Sequence, residues 1–394
     1  MKTLVRLTLT ILFLASALTI GCSDVGFRSI PKLSCDDVSR DQDTQCFVGD
    51  NTVSISFTFR VGEVDILFVD DNSGSMFIEQ QKMANAFPNF LNKIANLLFR
   101  IAIITTDVSA SPGNTVPKAA NGMGAYQDGK FLEFTLDDVN RTKSGLKMID
   151  YNTANVQSLF RGTIKRQESI DCDNAGFATA ACPSTDERGI YAANLAVERG
   201  ELNFFRPGAH LAIVVLSDED ERSQGGTTTG SLPLEIKDRP ETLVSNLKNL
   251  YPTKSVKVHS IVTNDATCLA QQRQFSPNGI HPTLGFIGAQ YIRLSNPDSA
   301  LRSLGNLLTG TVGSICSNDY GAQLSNIGQD VSNNTFNSPK GLACNPDLAT
   351  IKIVTSPAGF ENQIVYAIDS QNRVTFDNVP VGVEVTFSYD CPRF

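Results

Sequence analysis

The chain has 394 residues, 41% apolar and 19% charged, with 33 Lys and Arg against 41 Asp and Glu for a formal net charge of −8. That composition excludes disordered, collagenous and coiled-coil chains, and the length suffices for one large domain with a smaller companion. The acidic balance argues against nucleic acid as the main partner, because phosphate binding needs clustered Lys and Arg. Beyond the N-terminus no run of about 18 apolar residues is available to span a membrane.

Lys2 and Arg6 open a basic region, Leu7 to Ile20 is apolar apart from Thr and Ser, and Gly21-Cys22 follows. Residues 1–21 therefore read as an export signal that takes no part in the fold, and the polar residues 22–50 as a tether. VSISFTFR (53–60) alternates like a half-buried strand. VDILFVD (64–70) is a nearly continuous apolar run, as a strand covered on both faces requires. Phe77 to Leu98 repeats apolar residues at helical spacing, with Pro88 inside it as a kink or a break. FRIAIITTD (99–107) is a second buried strand, and 108–125 a long loop.

Further on, Lys130–Phe134 reads as a short strand, 153–166 as a helix and Gly189 to Arg199 as another. HLAIVVLS (210–217) is the strongest strand and runs into Asp218-Glu219-Asp220-Glu221. A helix over 239–251, strands over 256–263 and 289–294, and helices over 298–308 and 318–330 complete the pattern. Strands alternating with helices predict the α/β class: a doubly wound, mostly parallel sheet with helices on both faces, occupying 51–331. Residues 332–350 are rich in Asn, Ser and Pro, as a linker is. Residues 351–394 alternate in short runs divided by Pro357, Asn372 and Pro380, which predicts a small antiparallel β-rich unit.

Nine cysteines are an odd number. With Cys22 set aside, Cys35, Cys46, Cys172, Cys182, Cys268, Cys316, Cys344 and Cys391 remain. An even set in an exported chain reads as disulfides. Among 105 connectivities, pairing of sequence neighbours gives Cys35–Cys46, Cys172–Cys182, Cys268–Cys316 and Cys344–Cys391. No C-x-x-C occurs and none of the three His lies near a Cys, which argues against zinc.

Asp71-Asn72-Ser73-Gly74-Ser75 falls directly after the first buried strand and before the first helix. Ligands of open α/β sheets bind outside the carboxyl ends of strands. One carboxylate and two hydroxyls from a tight turn suit a hard cation such as Mg²⁺, and Asp218, at the end of another strand, can converge on the same edge. The competing reading is that Asp71 and Ser73 only cap a helix. Asp70 either supports a ligand or solvates the sheet edge, Asp107 reads as a loop cap, and Glu219-Asp220-Glu221 as a solvated rim.

Two resemblances extend this reading. Leu18-Thr19-Ile20-Gly21-Cys22 resembles the lipobox of bacterial lipoproteins, which implies that Cys22 is lipidated and becomes the mature N-terminus. Ser23 in place of Asp implies the outer membrane, with the periplasmic or surface face left open. Such a chain carries 31 basic against 41 acidic side chains, a net charge of −10, so acyl chains rather than basic residues would hold it to a membrane. ILFVDDNSGSM and VVLSDEDE resemble the strands of von Willebrand factor A domains that carry the D-x-S-x-S motif and a later Asp, the metal-ion-dependent adhesion site (MIDAS). The likeness is closest to envelope proteins of bacteria. It implies that Asp71, Ser73, Ser75 and Asp218 hold Mg²⁺ (or Mn²⁺ or Ca²⁺). The middle ligand is Thr185, four residues before Gly189, or alternatively Glu187. The implied function is adhesion or assembly through a partner protein's Asp or Glu carboxylate, not catalysis. The alternatives are a structural envelope protein with a degenerate or purely stabilising metal site, and a hydrolase of the haloacid dehalogenase type. Ser73, where that hydrolase family has its second Asp, speaks against the last.

Overall fold

The computed structural model describes residues 35, 44–49, 51–108, 127–176, 182–183, 186–223, 232–274, 286–337 and 339–392. Cys22, the export signal, most of the tether and Thr185 lie outside them. Among the described residues no helix is long and apolar enough to cross a membrane.

Fourteen strands, β1 (Thr44–Val48), β2 (Thr52–Arg60), β3 (Glu63–Asp70), β4 (Leu98–Thr105), β5 (Ile149–Asp150), β6 (His210–Ser217), β7 (Val256–Val262), β8 (Leu307–Leu308), β9 (Val312–Ser314), β10 (Lys340–Gly341), β11 (Asp347–Ser356), β12 (Val365–Ile368), β13 (Arg373–Asp377) and β14 (Glu384–Pro392), form three sheets. Nine α-helices accompany them among the described residues: α1 (Phe77–Ile94), α2 (Val156–Ile164), α3 (Gln167–Asn174), α4 (Gly189–Arg199), α5 (Pro240–Leu250), α6 (Ala266–Gln274), α7 (Ala289–Ser295), α8 (Ser299–Ser303) and α9 (Tyr320–Asn337).

The central sheet runs β5-β4-β3-β6-β7-β8, with β9 also on β7. All of its pairings are parallel except the short β4–β5 edge. Taking these strands in chain order, the sheet begins at β3 in its middle and grows first one way, then the other. That is the 3-2-1-4-5-6 order of a doubly wound fold, with its switch point between β3 and β6. The apolar runs of β3 and β6 follow from being covered twice. Val64, Ile66 and Phe68 face one core with α1, α2 and α9, where Phe87 stacks on Phe160 at 3.6 Å. Leu67 and Val69 face the other, with α4, α5 and α7. Pro88 lies within the single helix α1, which neither ends nor divides there.

The sequence pattern and the structure differ in several places: residues 44–48 of the tether form β1, Lys130–Phe134 is not a strand, and the helix expected over 298–308 stops at Ser303, with Leu307–Leu308 forming β8. The strand over 53–60, assigned above to the α/β domain, pairs antiparallel with β14 along its whole length, from Thr52–Pro392 to Arg60–Glu384. Its alternation was that of an antiparallel strand with one wet face, and its partner lies at the far end of the chain. The 332–350 segment begins as helix, because α9 continues to Asn337. The segment 289–294 is helical, its Tyr291 and Leu294 reaching the core three residues apart; short apolar runs do not distinguish the two periods.

The second unit is thus a β-sandwich built from both chain ends. Sheet β1-β2-β14-β11 packs on β10-β13-β12 around Val53, Ile55, Phe57, Phe59, Val374, Phe376, Val385 and Phe387. Phe59 meets Phe376 at 4.8 Å and Phe57 meets Phe387 at 5.5 Å. Gly208, at positive φ, brings the α/β body against this sandwich, since a Cβ there would stand 2.5 Å from the Cβ of Phe59. At the amino ends of the central strands, Asp65 is gripped by Lys254 Nζ at 2.6 Å and Arg206 Nε at 2.8 Å. Burial alone would raise the Asp65 pKa, but these two cations outweigh it and hold the carboxylate below its ordinary range.

All four disulfides pair sequence neighbours: Cys35–Cys46, Cys172–Cys182, Cys268–Cys316 and Cys344–Cys391. The first and last staple the sandwich, the second ties α3 to the segment that follows it, and the third ties α6 to the turn between β9 and α9.

Candidate metal centre

The carboxyl ends of β3 and β6 meet at the switch point. Asp71 N donates to Leu216 O at 3.0 Å, so the backbone stays paired one residue beyond β3 before it turns away. Asp71 Oδ1 then accepts the Ser73 N–H at 2.9 Å, an Asx turn of the kind Asp favours. A single 3-10 turn, Gly74–Met76, leads into α1.

Ser73 occupies the N-cap position of that turn, yet its hydroxyl makes no capping bond. It lies 3.0 Å from Ser75 Oγ, and Ser75 Oγ donates to Asp218 Oδ1 at 3.3 Å. The helix-capping reading of Ser73 therefore fails, and a chain of oxygens runs from the first loop to the second. Asp71 joins it from behind, its Oδ2 accepting Ser217 Oγ at 2.7 Å. Thr263 Oγ1 donates to the Asp218 carbonyl at 2.8 Å and fixes the second loop against the next strand. Of the five residues expected to hold a cation, these four come together, and Thr185 lies outside the described residues.

The alternative ligand, Glu187, is buried beside Asp71. Its Oε2 accepts Thr106 Oγ1, and its carboxyl is close enough to Asp71 for the two to share a hydrogen bond. Burial, and then the Asp71 and Glu219 charges, push Glu187 well above the usual carboxylate range. Asp218 moves the same way, through burial first and then Asp71, Glu219 and Glu79. Asp71 is also raised by burial, with the Ser217 and Ser73 bonds opposing the shift.

The acidic run after Asp218 is not the solvated rim that the sequence pattern implied. Glu219 and Glu221 are buried, and Asp220 is largely so. The reason is local: backbone donors at two helix starts need acceptors. Glu221 accepts Ile190 N at 2.8 Å and Tyr191 N at 3.1 Å at the start of α4, and the Tyr291 hydroxyl at 3.0 Å. Asp220 accepts Gln290 N at 2.9 Å at the start of α7. Glu219 takes the Ser223 hydroxyl at 2.7 Å, and burial pushes its pKa up to about 8. Asp70 does not solvate the edge either. It is fully buried against α1, with Gln80 Nε2 3.5 Å from its Oδ2, and burial holds its carboxyl well above the usual range. Asp107, expected as a loop cap, is buried with its carbonyl accepting Asp128 N at 3.1 Å.

Among the described residues no three His, Cys, Asp or Glu side chains converge on one point, so a cation here must use serine hydroxyls as well as carboxylates. The oxygens fit that demand. Octahedral Mg²⁺ with bonds of 2.0–2.1 Å sets neighbouring ligand atoms about 2.9 Å apart, and the longer bonds of Ca²⁺ set them about 3.3–3.7 Å apart. The 3.0 Å Ser73–Ser75 separation lies close to the Mg²⁺ spacing, and the 3.3 Å Ser75–Asp218 separation is wider than it. Sequence reasoning missed Ser217, Thr106, Gln80 and Ser223. Of these only Ser217, one residue before Asp218, sat close enough to the motif to be noticed.

No family model matches the chain, and no curated protein matches it. Among solved structures it is similar to a von Willebrand factor type A protein from Catenulispora acidiphila, at 14% identity and a TM-score of 0.27 over 91% of this chain and 66% of that one. It is also similar to the human COPII-coat protein Sec24c, at 11% identity and a TM-score of 0.33 over 86% of this chain and 42% of that one. The chain thus spans just under two thirds of the first and less than half of the second. The fold assignment rests on strand order and register.

Proposed function

We propose that this chain is a divalent-cation-dependent protein-binding module of the von Willebrand factor A type, carried on a lipid-anchored protein of the bacterial envelope. The observation that carries the reading is the oxygen chain Ser73–Ser75–Asp218, backed by Asp71, at the switch point of the sheet. Ser73 and Ser75 offer neutral oxygens, and Asp71 and Asp218 supply the charge. Ser217 and Thr263 hold the two carboxylate-bearing loops in register from behind. When bound, Mg²⁺, Mn²⁺ or Ca²⁺ would supply an electrophilic centre that attracts an Asp or Glu carboxylate of a partner, on a protein whose own charge repels acidic surfaces. Lipid on Cys22 would place that site at the outer membrane.

The test is calorimetric titration of Mg²⁺ into the mature chain, with Asp71→Ala and Asp218→Ala alongside, and cross-linking in intact cells with and without EDTA. The reading requires that both substitutions abolish cation binding and that EDTA removes the cross-linked partner. Undiminished cross-linking in EDTA would refute the carboxylate mechanism. Mass spectrometry of the mature N-terminus checks the acyl chains on Cys22.

One observation favours a second reading, a site that only stabilises the fold. Glu187 brings another buried carboxylate to Asp71, and an internal ligand there would close the cation to outside groups. In that case Mg²⁺ raises the melting temperature while EDTA leaves partner capture unchanged.

A further inference from the structure

The cation loop is held from behind by two side chains that no motif includes. Strand pairing ends at Asp71, so the carbonyls of Asp71 and Asn72 lose their sheet partners inside the protein, where an unpaired backbone group is costly. Gln80, at the end of the first turn of α1, donates from Nε2 to Asp71 O at 2.8 Å. Ser169, on α3, donates from its hydroxyl to Asn72 O at 2.9 Å. The two are joined, because Gln80 Nε2 also donates to Ser169 Oγ at 3.1 Å. Gln80 Oε1 accepts Arg166 N at 3.2 Å, which fixes the amide's orientation since a backbone N–H can only donate. Gln80, Ser169 and Asn72 are all buried, and the helix that carries Ser169 is pinned by Cys172–Cys182.

We infer that Gln80 and Ser169 are positioning residues for the cation site: they hold two successive carbonyls of its first loop, and so keep the Ser73 and Ser75 hydroxyls at the spacing a small octahedral cation needs. The inference rests on the cation reading proposed above. With the carbonyls bound behind the loop, rotation of the Asp71–Asn72 or Asn72–Ser73 peptide breaks a buried hydrogen bond. The serine hydroxyls therefore do not drift apart when no cation is bound. Mg²⁺ demands near-ideal geometry, whereas Ca²⁺ tolerates irregular sites, so a loosened loop penalises Mg²⁺ more than Ca²⁺.

The experiment compares Mg²⁺ and Ca²⁺ titrations of the mature chain with those of Ser169→Ala, Gln80→Met and Ser169→Thr, together with melting of each protein in EDTA. Ser169→Ala is the milder change and keeps the helix. The expected result is a loss of Mg²⁺ affinity of about 10-fold in each of the first two variants, the worth of one buried hydrogen bond. Ca²⁺ affinity should fall by less than about 3-fold, and Ser169→Thr, which retains the hydroxyl, should recover the Mg²⁺ preference. Unchanged Mg²⁺ affinity in both variants, or equal losses for the two cations, overturns the inference while leaving the cation reading intact. Failure of the unsubstituted chain to bind either cation overturns both.

Discussion

The Ser217 hydroxyl donates to Asp71 Oδ2 at 2.7 Å, joining the ends of β3 and β6 across 146 positions of sequence. One serine thereby aligns the two loops that carry the candidate ligands. Ser217 also accepts the Glu219 N–H at 3.1 Å, so the same oxygen shapes the second loop. Ser217→Ala should lower Mg²⁺ affinity by about 10-fold or more, because hydrogen bonds to charged groups contribute about 1.5–3 kcal/mol. Calorimetric titration reads this directly, and an unchanged affinity would show that the Ser217 bond to Asp71 does not align the candidate site.

The buried carboxyls outnumber the buried His210, His259 and Lys340, whose lowered pKa values act in the opposite sense, and so dominate the pH response of the cation-free protein. Burial pushes Glu219 to about 8 and Asp220 to about 6, and Glu187 and Asp218 shift in the same direction. Between the ordinary carboxylate range and pH 8 the folded chain keeps protons that the unfolded chain has released, so its stability falls as pH rises. Melting temperatures in EDTA should therefore decline from pH 5 to pH 8. Saturating Mg²⁺ should flatten that slope, since the cation replaces the protons. A rising trend in EDTA would contradict the buried placement of these groups.

At the opposite end of the sheet the Asp65 site tests a different balance. Asp65→Ala strands the fully buried Lys254 ammonium, and removing one partner of a buried pair costs about 3–5 kcal/mol. Asp65→Leu combined with Lys254→Met should recover part of that loss, because the Lys254 desolvation penalty goes with the Asp65 one, while Arg206 keeps Glu63 and the Val64 and Leu98 carbonyls. Urea denaturation of the three proteins measures the difference.

The Cys344–Cys391 bridge closes a loop of 47 positions at the C-terminal strand. Chain-entropy arguments give it about 4 kcal/mol. Replacing both cysteines with serine should lower sandwich stability by that order. It should leave Mg²⁺ binding intact, because the bridge lies in the sandwich and the candidate ligands lie at the far ends of β3 and β6.

What could be read from the sequence divides along physical lines. β3, β4 and β6 were legible because burial on both faces leaves a nearly continuous apolar run, and β7 because Val256, Val258, Ile261 and Val262 give a β-branched strand pattern. The placement of Asp71, Ser73, Ser75 and Asp218 followed once those strands were parallel. Burial of Glu219 and Glu221 was not legible: a run of acids signals solvent unless its donors are known, and Ile190, Tyr191 and Tyr291 lie 30 to 70 residues away. Gln80 and Ser169 escaped notice for the same reason, since a polar residue on a helix declares its partner only in three dimensions. The partner of β2 was beyond any local pattern.

That last pairing has a consequence for the order in which the molecule can assemble. β2 leaves the ribosome well before β14, whose Glu384 lies 324 positions after its partner Arg60. The α/β body between Glu63 and Asn337 has its own cores and can close while synthesis continues. The inner face of β2, with Val53, Ile55, Phe57 and Phe59, must wait for β13 and β14 before it is covered. Closing so distant a contact is slow, and in the interval β2 offers an open apolar edge to any other chain. Truncation before β14 should therefore show itself first as aggregation through β2, with the candidate ligands at the ends of β3 and β6 still in place.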